Sequence, residues 1–101
     1  MIGKILYTSW GYNMTLVDYC KIIEETEKSV RCVMIDKTIE NDNGGGSGRC
    51  YPIIDEVISK PFLLRKKDNC FKGSYPFSGE SKRMDYFNEY DGKGNYYNTW
   101  D

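Results

Sequence analysis

The stretch LVDYCKIIEETEKSVRCVMIDKTI, residues 16–39, decides the fold, because it is compatible with a helix or with a β-hairpin. A helix would place four apolar side chains on one face, at positions i, i+3, i+4 and i+7: Leu16, Tyr19, Cys20 and Ile23. Thr15 would then be the N-cap, and Glu24 and Lys28 would form an i,i+4 ion pair. The helix is therefore a serious alternative.

A hairpin explains more of the same stretch. Glu27 and Lys28 would form a two-residue loop, so that Thr26 faces Ser29. The next cross-strand pairs are Glu24–Arg31, Ile22–Val33, Cys20–Ile35 and Asp18–Lys37. This register puts four apolar side chains on one face, between two pairs of opposite charge, which stabilises antiparallel strands. Branched side chains at positions 17, 22 and 23 also disfavour a helix. We therefore predict the hairpin and keep the helix as the alternative.

The amino-acid composition favours strands over the whole chain. There are nine Tyr, four Phe and two Trp but no Ala. Aromatic residues suit a pleated sheet, whereas Ala is the strongest helix former. A chain of 101 residues is long enough for one domain with its own core. We predict a single, mostly β domain over residues 1–101. It would form a small antiparallel barrel or sandwich of about six strands and could include one short helix.

Turn signals place the remaining strands. A first strand over residues 4–7 is predicted to end at a turn over 9–15, and consecutive glycines indicate a loop over 41–48. Residues 51–59 fit either a short strand or one helical turn. Two further hairpins are predicted: residues 62–67 with 70–74, and residues 84–90 with 95–100 around the turn Asp91-Gly92-Lys93-Gly94. A strand break at Tyr75-Pro76-Phe77 separates them. The first of these hairpins gathers Arg65, Lys66, Lys67 and Lys72, which is typical of charged edge strands.

Charge and cysteine content narrow the classes of function. The net charge is −1, from 14 basic and 15 acidic residues, which argues against nucleic-acid binding by bulk charge. The chain has no His, the commonest general base and metal ligand, and its four Cys include no C-x-x-C pair. We therefore expect no enzymatic activity, no cofactor, no metal site, and buried, reduced cysteines. The apolar stretch at residues 1–6 is too short for a signal peptide and becomes polar too early. No apolar run of the sequence is long enough to span a membrane.

A binding surface is easier to assemble from this sequence than a catalytic site. Large aromatic rings concentrate at the turn over residues 9–15 and at the strand break over 75–77, and two cations follow at 82–83. Exposed rings on loops over a rigid sheet commonly form a recognition surface, and rings with cations can hold a nucleotide. The predicted ligand- or partner-binding residues are Trp10, Tyr12, Tyr75, Phe77, Lys82 and Arg83.

Several short motifs occur in a fixed order along the chain: YTSWGY at 7–12, MT at 14–15, DY at 18–19, KPF at 60–62, GSYPF at 73–77, DGK at 91–93 and a Tyr-rich tail ending Trp100-Asp101. In this order and spacing they resemble a family of small conserved hypothetical proteins encoded by bacteriophages and prophages of Gram-positive bacteria, over nearly the whole chain. The resemblance implies a phage protein of the host cytoplasm that inhibits a bacterial defence system without catalysis. Its partner would be a host defence protein that it blocks or a nucleotide immune signal that it sequesters.

Two other functions stay open. A small β-barrel that binds nucleic acid is favoured by the run Arg65-Lys66-Lys67 near aromatic residues, and opposed by the near-zero net charge. A structural or interaction protein of the virion or of host takeover is the second alternative. An aromatic-rich hairpin would suit a homo-oligomer in any of these cases.

Overall fold

The computed structural model describes residues 2–10, 16–41, 47–78 and 81–98. All regular secondary structure within these ranges is β-strand, so the prediction of a mostly β fold is confirmed. In chain order the strands are β1 (Ile5–Trp10), β2 (Leu16–Glu25), β3 (Ser29–Asn41), β4 (Ser47–Val57), β5 (Phe62–Lys66), β6 (Phe71–Ser78), β7 (Ser81–Glu89) and β8 (Asn95–Asn98).

Six of the strands close into an antiparallel barrel. Neighbouring strands follow the order β2-β1-β7-β6-β5-β3, and the pairing of β2 with β3 joins the two ends of this order. Closure gives each of these strands a partner on both edges, which removes the exposed edges of an open sheet. Strand β4 pairs with β3 outside the ring, and β8 pairs with β4. The prediction of a small antiparallel barrel is confirmed, and the helix alternative for residues 16–39 is wrong.

Strands β2 and β3 form the predicted hairpin, with its tight turn at residues 26–29. The Thr26 amide donates to the Ser29 carbonyl at 2.8 Å, and the Ser29 amide donates to Thr26 Oγ1 at 3.1 Å. The predicted pairing of Glu24 with Arg31 is present, with 3.3 Å between Glu24 Oε2 and Arg31 Nε. The turn and the first charged pair therefore follow the predicted register.

Beyond this pair, a β-bulge at Ile23 shifts the register from the predicted one. Ile22 pairs with Cys32 instead of Val33, because β2 has one extra residue between Ile22 and Glu24. Side chains alternate between the two faces of a strand, so a shift of one residue exchanges the faces that meet. As a result, Cys20 and Ile22 share a face with Cys32 and Met34 rather than with Val33 and Ile35, and both faces of β3 are buried.

The two faces of β2 and β3 contribute to two separate hydrophobic cores. The first core fills the barrel interior and contains Leu6, Cys20, Ile22, Val30, Cys32, Met34, Leu64, Phe71, Tyr75 and Phe87. The second core lies outside the barrel, where it includes a residue of β4, and contains Ile5, Val17, Tyr19, Val33, Ile35 and Cys50. Burial on both faces explains why four consecutive residues of β3, 32–35, are all apolar.

Strands β4 and β5 lie end to end along one edge of β3. Ile35 pairs with Val57 of β4, and Val30 pairs with Leu64 of β5, while β2 occupies the other edge. Residues 51–57, for which a strand and a helical turn were both open, therefore belong to a strand. This strand also takes in residues 47–48 from the predicted glycine-rich loop.

The last predicted hairpin is wrong, although its turn is present. Gly92 and Gly94 have φ angles of 87° and 80°, and the Gly94 amide donates to the Tyr90 hydroxyl at 2.9 Å. Strand β8 nevertheless pairs with β4, because both edges of β7 are already occupied by β6 and β1. Gly94 also lies against the Tyr51 ring, which a Cβ atom would approach to 2.6 Å.

Two predictions for β5 and β6 are also wrong. Neither is an edge strand, because β5 lies between β3 and β6, and β6 lies between β5 and β7. The strand break predicted at Tyr75-Pro76-Phe77 does not occur, since β6 continues to Ser78. Pro76 is accommodated next to a register irregularity between Pro76 and Ser78, where a missing backbone donor interrupts the ladder least.

Candidate functional site

The two chain segments that carry the predicted site residues meet at one end of the barrel. Strand β1 runs antiparallel to β7, with Tyr7 opposite Asn88, so the end of β1 points toward the start of β7. Strands β6 and β7 are joined at that same end, where Ser78 pairs with Ser81. We call this the upper end of the barrel.

The structure describes only part of the predicted site. Trp10 is the last residue of β1, and Phe77 lies in β6. Lys82 and Arg83 lie in β7, opposite Pro76 and Tyr75. The side chains of these four site residues, and the whole of Tyr12, lie outside the described residues. Their role in binding stays a prediction.

Tyr75 was predicted to be an exposed ring, but the structure places it in the core. Its relative exposure is 0 %, and its ring packs edge-on against Phe87, with centroids 5.0 Å apart and an angle of 84°. Phe62 packs on the same ring at 6.4 Å. The strand alternation that buries Phe71 also buries Tyr75, four residues further along β6. Only the hydroxyl leaves the core, and it lies 3.4 Å from Asp18 Oδ2.

Asp18 and Lys37 form a partly buried ion pair next to the Tyr75 hydroxyl. Lys37 Nζ lies 3.1 Å from Asp18 Oδ1, and the two side chains are 33 % and 21 % exposed. The hairpin register predicted this pair as direct neighbours. The contact is present even though the bulge at Ile23 shifts the ladder, in which Tyr19 pairs with Ile35. The carboxylate of Asp18 is therefore shared between a cation and a phenol.

Thr8 adds a buried hydroxyl to the same end. It is 1 % exposed, it lies opposite Asp18 in the β1–β2 register, and its Oγ1 has no hydrogen-bond partner within the described part of the chain. A buried hydroxyl left without a partner costs about 1–3 kcal/mol, so such groups are rare and informative. The sequence analysis missed Thr8. Its position could have revealed it: Thr8 comes two residues after the core residue Leu6, so strand alternation in β1 directs its side chain inward as well.

A second buried polar contact lies in the outer core and is structural. Tyr19 donates to the Cys50 carbonyl at 2.8 Å, and its hydroxyl oxygen lies 2.8 Å from Asn95 Oδ1. Burial, reinforced by the hydrogen bond with Cys50, raises the pKa of the Tyr19 phenol well above its ordinary value. Burial also raises the pKa of the Cys50 thiol. Both groups are therefore neutral at physiological pH, and they tie β2 to β4 and β8 rather than form a reactive site.

An open depression of about 420 Å³ lies at the opposite, lower end of the barrel. Its lining residues are Lys66, Lys67, Asp68, Asn69, Cys70, Phe71 and Glu89. Two of the lining charges are already engaged, since Lys66 lies 2.6 Å from Glu25 and Glu89 lies 3.5 Å from Lys4. The depression is thus a mixed-charge surface without a group that would select one ligand.

No group of three or more His, Cys, Asp or Glu side chains is placed to hold a metal ion within residues 2–10, 16–41, 47–78 and 81–98. Over the same residues, no helix is long and apolar enough to cross a membrane. Comparison with protein-family models, curated proteins and solved structures yields no match to this chain.

Proposed function

We propose that this chain is a non-catalytic binding protein of a phage that inhibits a bacterial defence system, by blocking an effector protein or sequestering a nucleotide immune signal. The observation that carries the binding role is the polar cluster at the upper end, made of Thr8, Asp18, Lys37 and the Tyr75 hydroxyl. The barrel interior below it is filled by apolar side chains. A ligand would therefore be held at the end of the barrel rather than inside it.

The chemistry of this cluster suits binding. Asp18 is held by an ion pair with Lys37, and the chain has no His to act as a general base. Thr8 contributes a hydroxyl with donor and acceptor capacity that no described residue uses. The defence-related part of the proposal rests on the resemblance to phage and prophage proteins.

The binding role is tested by affinity capture from a host that carries the defence system, with mass spectrometry of both proteins and small nucleotides. Two variants probe the cluster: Thr8→Val, and the double variant Asp18→Asn with Lys37→Gln, which removes the ion pair without leaving an isolated charge. The matched control is the double variant Glu24→Gln with Arg31→Gln, which removes an exposed ion pair at the β2–β3 turn.

We expect the parent and the control to capture the same partner, and both cluster variants to lose it while remaining folded in thermal melts. Capture by both cluster variants at the parent level would rule out this end as the site. The defence role has its own test, in which the chain alone is expressed in a defence-positive host. Rescue of an unrelated, defence-sensitive phage supports inhibition, whereas a virion or assembly protein would give no rescue.

A further inference from the structure

Among the described residues, a second layer covers the outer surface of the barrel on one side only. The second hydrophobic core lies over the outer face of β1, β2 and β3. Strands β5, β6 and β7 have no such cover among the described residues. Their outward side chains alternate with the core residues Leu64, Phe71 and Phe87. Within the described residues, the outer face of these strands consists of Leu63, Arg65, Lys72, Ser74, Tyr86 and Asn88, and we call it the β5–β7 face.

Three of these residues form one row across the three strands. Arg65 of β5 pairs with Lys72 of β6, and Lys72 pairs with Tyr86 of β7. Adjacent strands lie about 4.8 Å apart, so the row spans roughly 10 Å. Lys72 Nζ lies 5.1 Å from the centroid of the Tyr86 ring, and Tyr86 is 51 % exposed. Two cations and one exposed ring are thus held in register by the barrel.

The charge on the β5–β7 face has one sign. Arg65 and Lys72 form no ion pair with any described residue, in contrast to Arg31 and Lys66, which pair with carboxylates. None of the described outward residues on these three strands is acidic. The acidic side chains that the structure describes lie outside these six positions, so the net charge of the chain does not describe this face.

We infer that the β5–β7 face binds single-stranded nucleic acid, with a base stacked on Tyr86 and the neighbouring phosphates on Lys72 and Arg65. An exposed ring beside cations on a rigid sheet is the combination that holds single strands without sequence preference, because every base has a π-face. A duplex offers its bases only within the grooves, so a flat face with one short row favours a single strand. This site is separate from the upper end and does not depend on the proposed defence role.

The test is fluorescence anisotropy with a labelled oligothymidylate of about ten nucleotides, a length within the range that one small barrel covers. Binding is measured for the full chain between about 50 and 200 mM salt. The double variant Arg65→Gln with Lys72→Gln removes two charges from the face. The matched control, Lys60→Gln with Lys93→Gln, removes two exposed charges that lie outside the face. Tyr86→Ala removes the ring, and Tyr86→Phe retains it.

Each phosphate contact to a single strand contributes roughly 0.7 to the slope of log affinity against log salt. The face variant is therefore expected to lower this slope by roughly 1.4 relative to the matched control. Stacking on one ring is worth roughly 1–3 kcal/mol, so Tyr86→Ala is expected to weaken binding roughly 5- to 150-fold, while Tyr86→Phe binds like the parent.

Any of three results would overturn the inference: no binding by the parent at low salt, equal slopes for the face variant and its control, or parent-level binding by Tyr86→Ala. Equal affinity for a duplex of the same length would exclude stacking as well. If the face variants instead lose a host protein in the capture experiment, the face is a protein interface. If this inference fails, the results expected for the Thr8 and Asp18 variants at the upper end do not change, so the two proposals are distinguishable.

Discussion

Tyr75 combines two roles that sequence patterns assign to different residues. The motif Gly73-Ser74-Tyr75-Pro76-Phe77 contains a proline and two rings, which predicted a strand break with exposed aromatics. The structure places the Tyr75 ring in the barrel core and only its hydroxyl toward Asp18. Local sequence could not reveal this, because burial depends on which face of β6 the closed barrel turns inward. The predicted exposure of Tyr75 was therefore wrong.

Substitution of Tyr75 separates its two roles. Tyr75→Ala removes a fully buried ring, so we expect a loss of about 3–5 kcal/mol in the free energy of unfolding. Tyr75→Phe keeps the ring and removes one hydrogen bond to a carboxylate, which is expected to cost about 1–2 kcal/mol. Chemical denaturation measures both values. Equal stability of Tyr75→Ala and the parent would show that the ring is not in the core.

The buried phenol and thiols predict a loss of stability at alkaline pH. Burial raises the pKa of Cys20 and of Cys50 above the ordinary value of 9.0, and that of Tyr19 above 10.0. The unfolded chain therefore releases these protons at a pH where the folded chain still holds them. The free energy of unfolding is expected to be fully maintained below pH 9.0 and to fall as pH rises above it, more steeply beyond 10.0.

Denaturation at a series of pH values checks this expectation, with Tyr19→Phe as the comparison. This variant cannot ionise at position 19, so its stability should decline less above 10.0, although it starts lower because the hydrogen bond to Cys50 is lost. A free energy of unfolding that rises between about pH 9 and 11 would contradict the burial of these groups.

At the scale of elements, the β2–β3 hairpin shows what a sequence can and cannot specify. The turn at residues 26–29 and the Glu24–Arg31 pair depend on neighbouring residues, and both were predictable. The bulge at Ile23 was not predictable. It lets the hairpin keep its turn while both faces of β2 and β3 are buried, and the second face is buried by β4 and β8. The same limit explains β8: its turn was predictable, but its partner depended on which sheet edges were already occupied.

Deletion of Ile23 tests the bulge directly. Without the extra residue, Ile22 and every earlier residue of β2 would meet β3 with the opposite face. We expect the deletion variant to lose cooperative unfolding and chemical-shift dispersion. The substitution Ile23→Val keeps the bulge and is expected to cost about 0.5–1.5 kcal/mol or less, since the side chain is only partly buried. A deletion variant as stable as the parent would mean that the bulge does not set the register.

At the scale of the whole molecule, composition predicted the fold class but left a closed barrel and a sandwich as alternatives. Aromatic residues and the absence of Ala favour strands in any arrangement. Closure requires that β1 reach β7, and their paired residues Tyr7 and Asn88 are far apart in the sequence. A strand over residues 95–100 was predicted and one over 51–59 was left open, but no local signal indicated that β4 and β8 form an outer layer beside the ring.

Closure matters for function because a closed, filled barrel leaves only its ends and its outer faces for binding. The upper end carries the buried hydroxyl of Thr8 and the Asp18–Lys37 pair, and the β5–β7 face carries the row from Arg65 to Tyr86. If the ring were open between β1 and β7, the interior side chains of both strands would be accessible, and neither surface would be preorganised.

The most direct test of closure is a set of interstrand nuclear Overhauser effects in the isotopically labelled chain. The structure predicts backbone contacts at Tyr7–Asn88 between β1 and β7, and at Val30–Leu64 between β3 and β5, together with those of the β2–β3 hairpin. Observation of all three sets would establish the ring. If the hairpin contacts are present but the β1–β7 contacts are absent, the sheet is open and the barrel is contradicted.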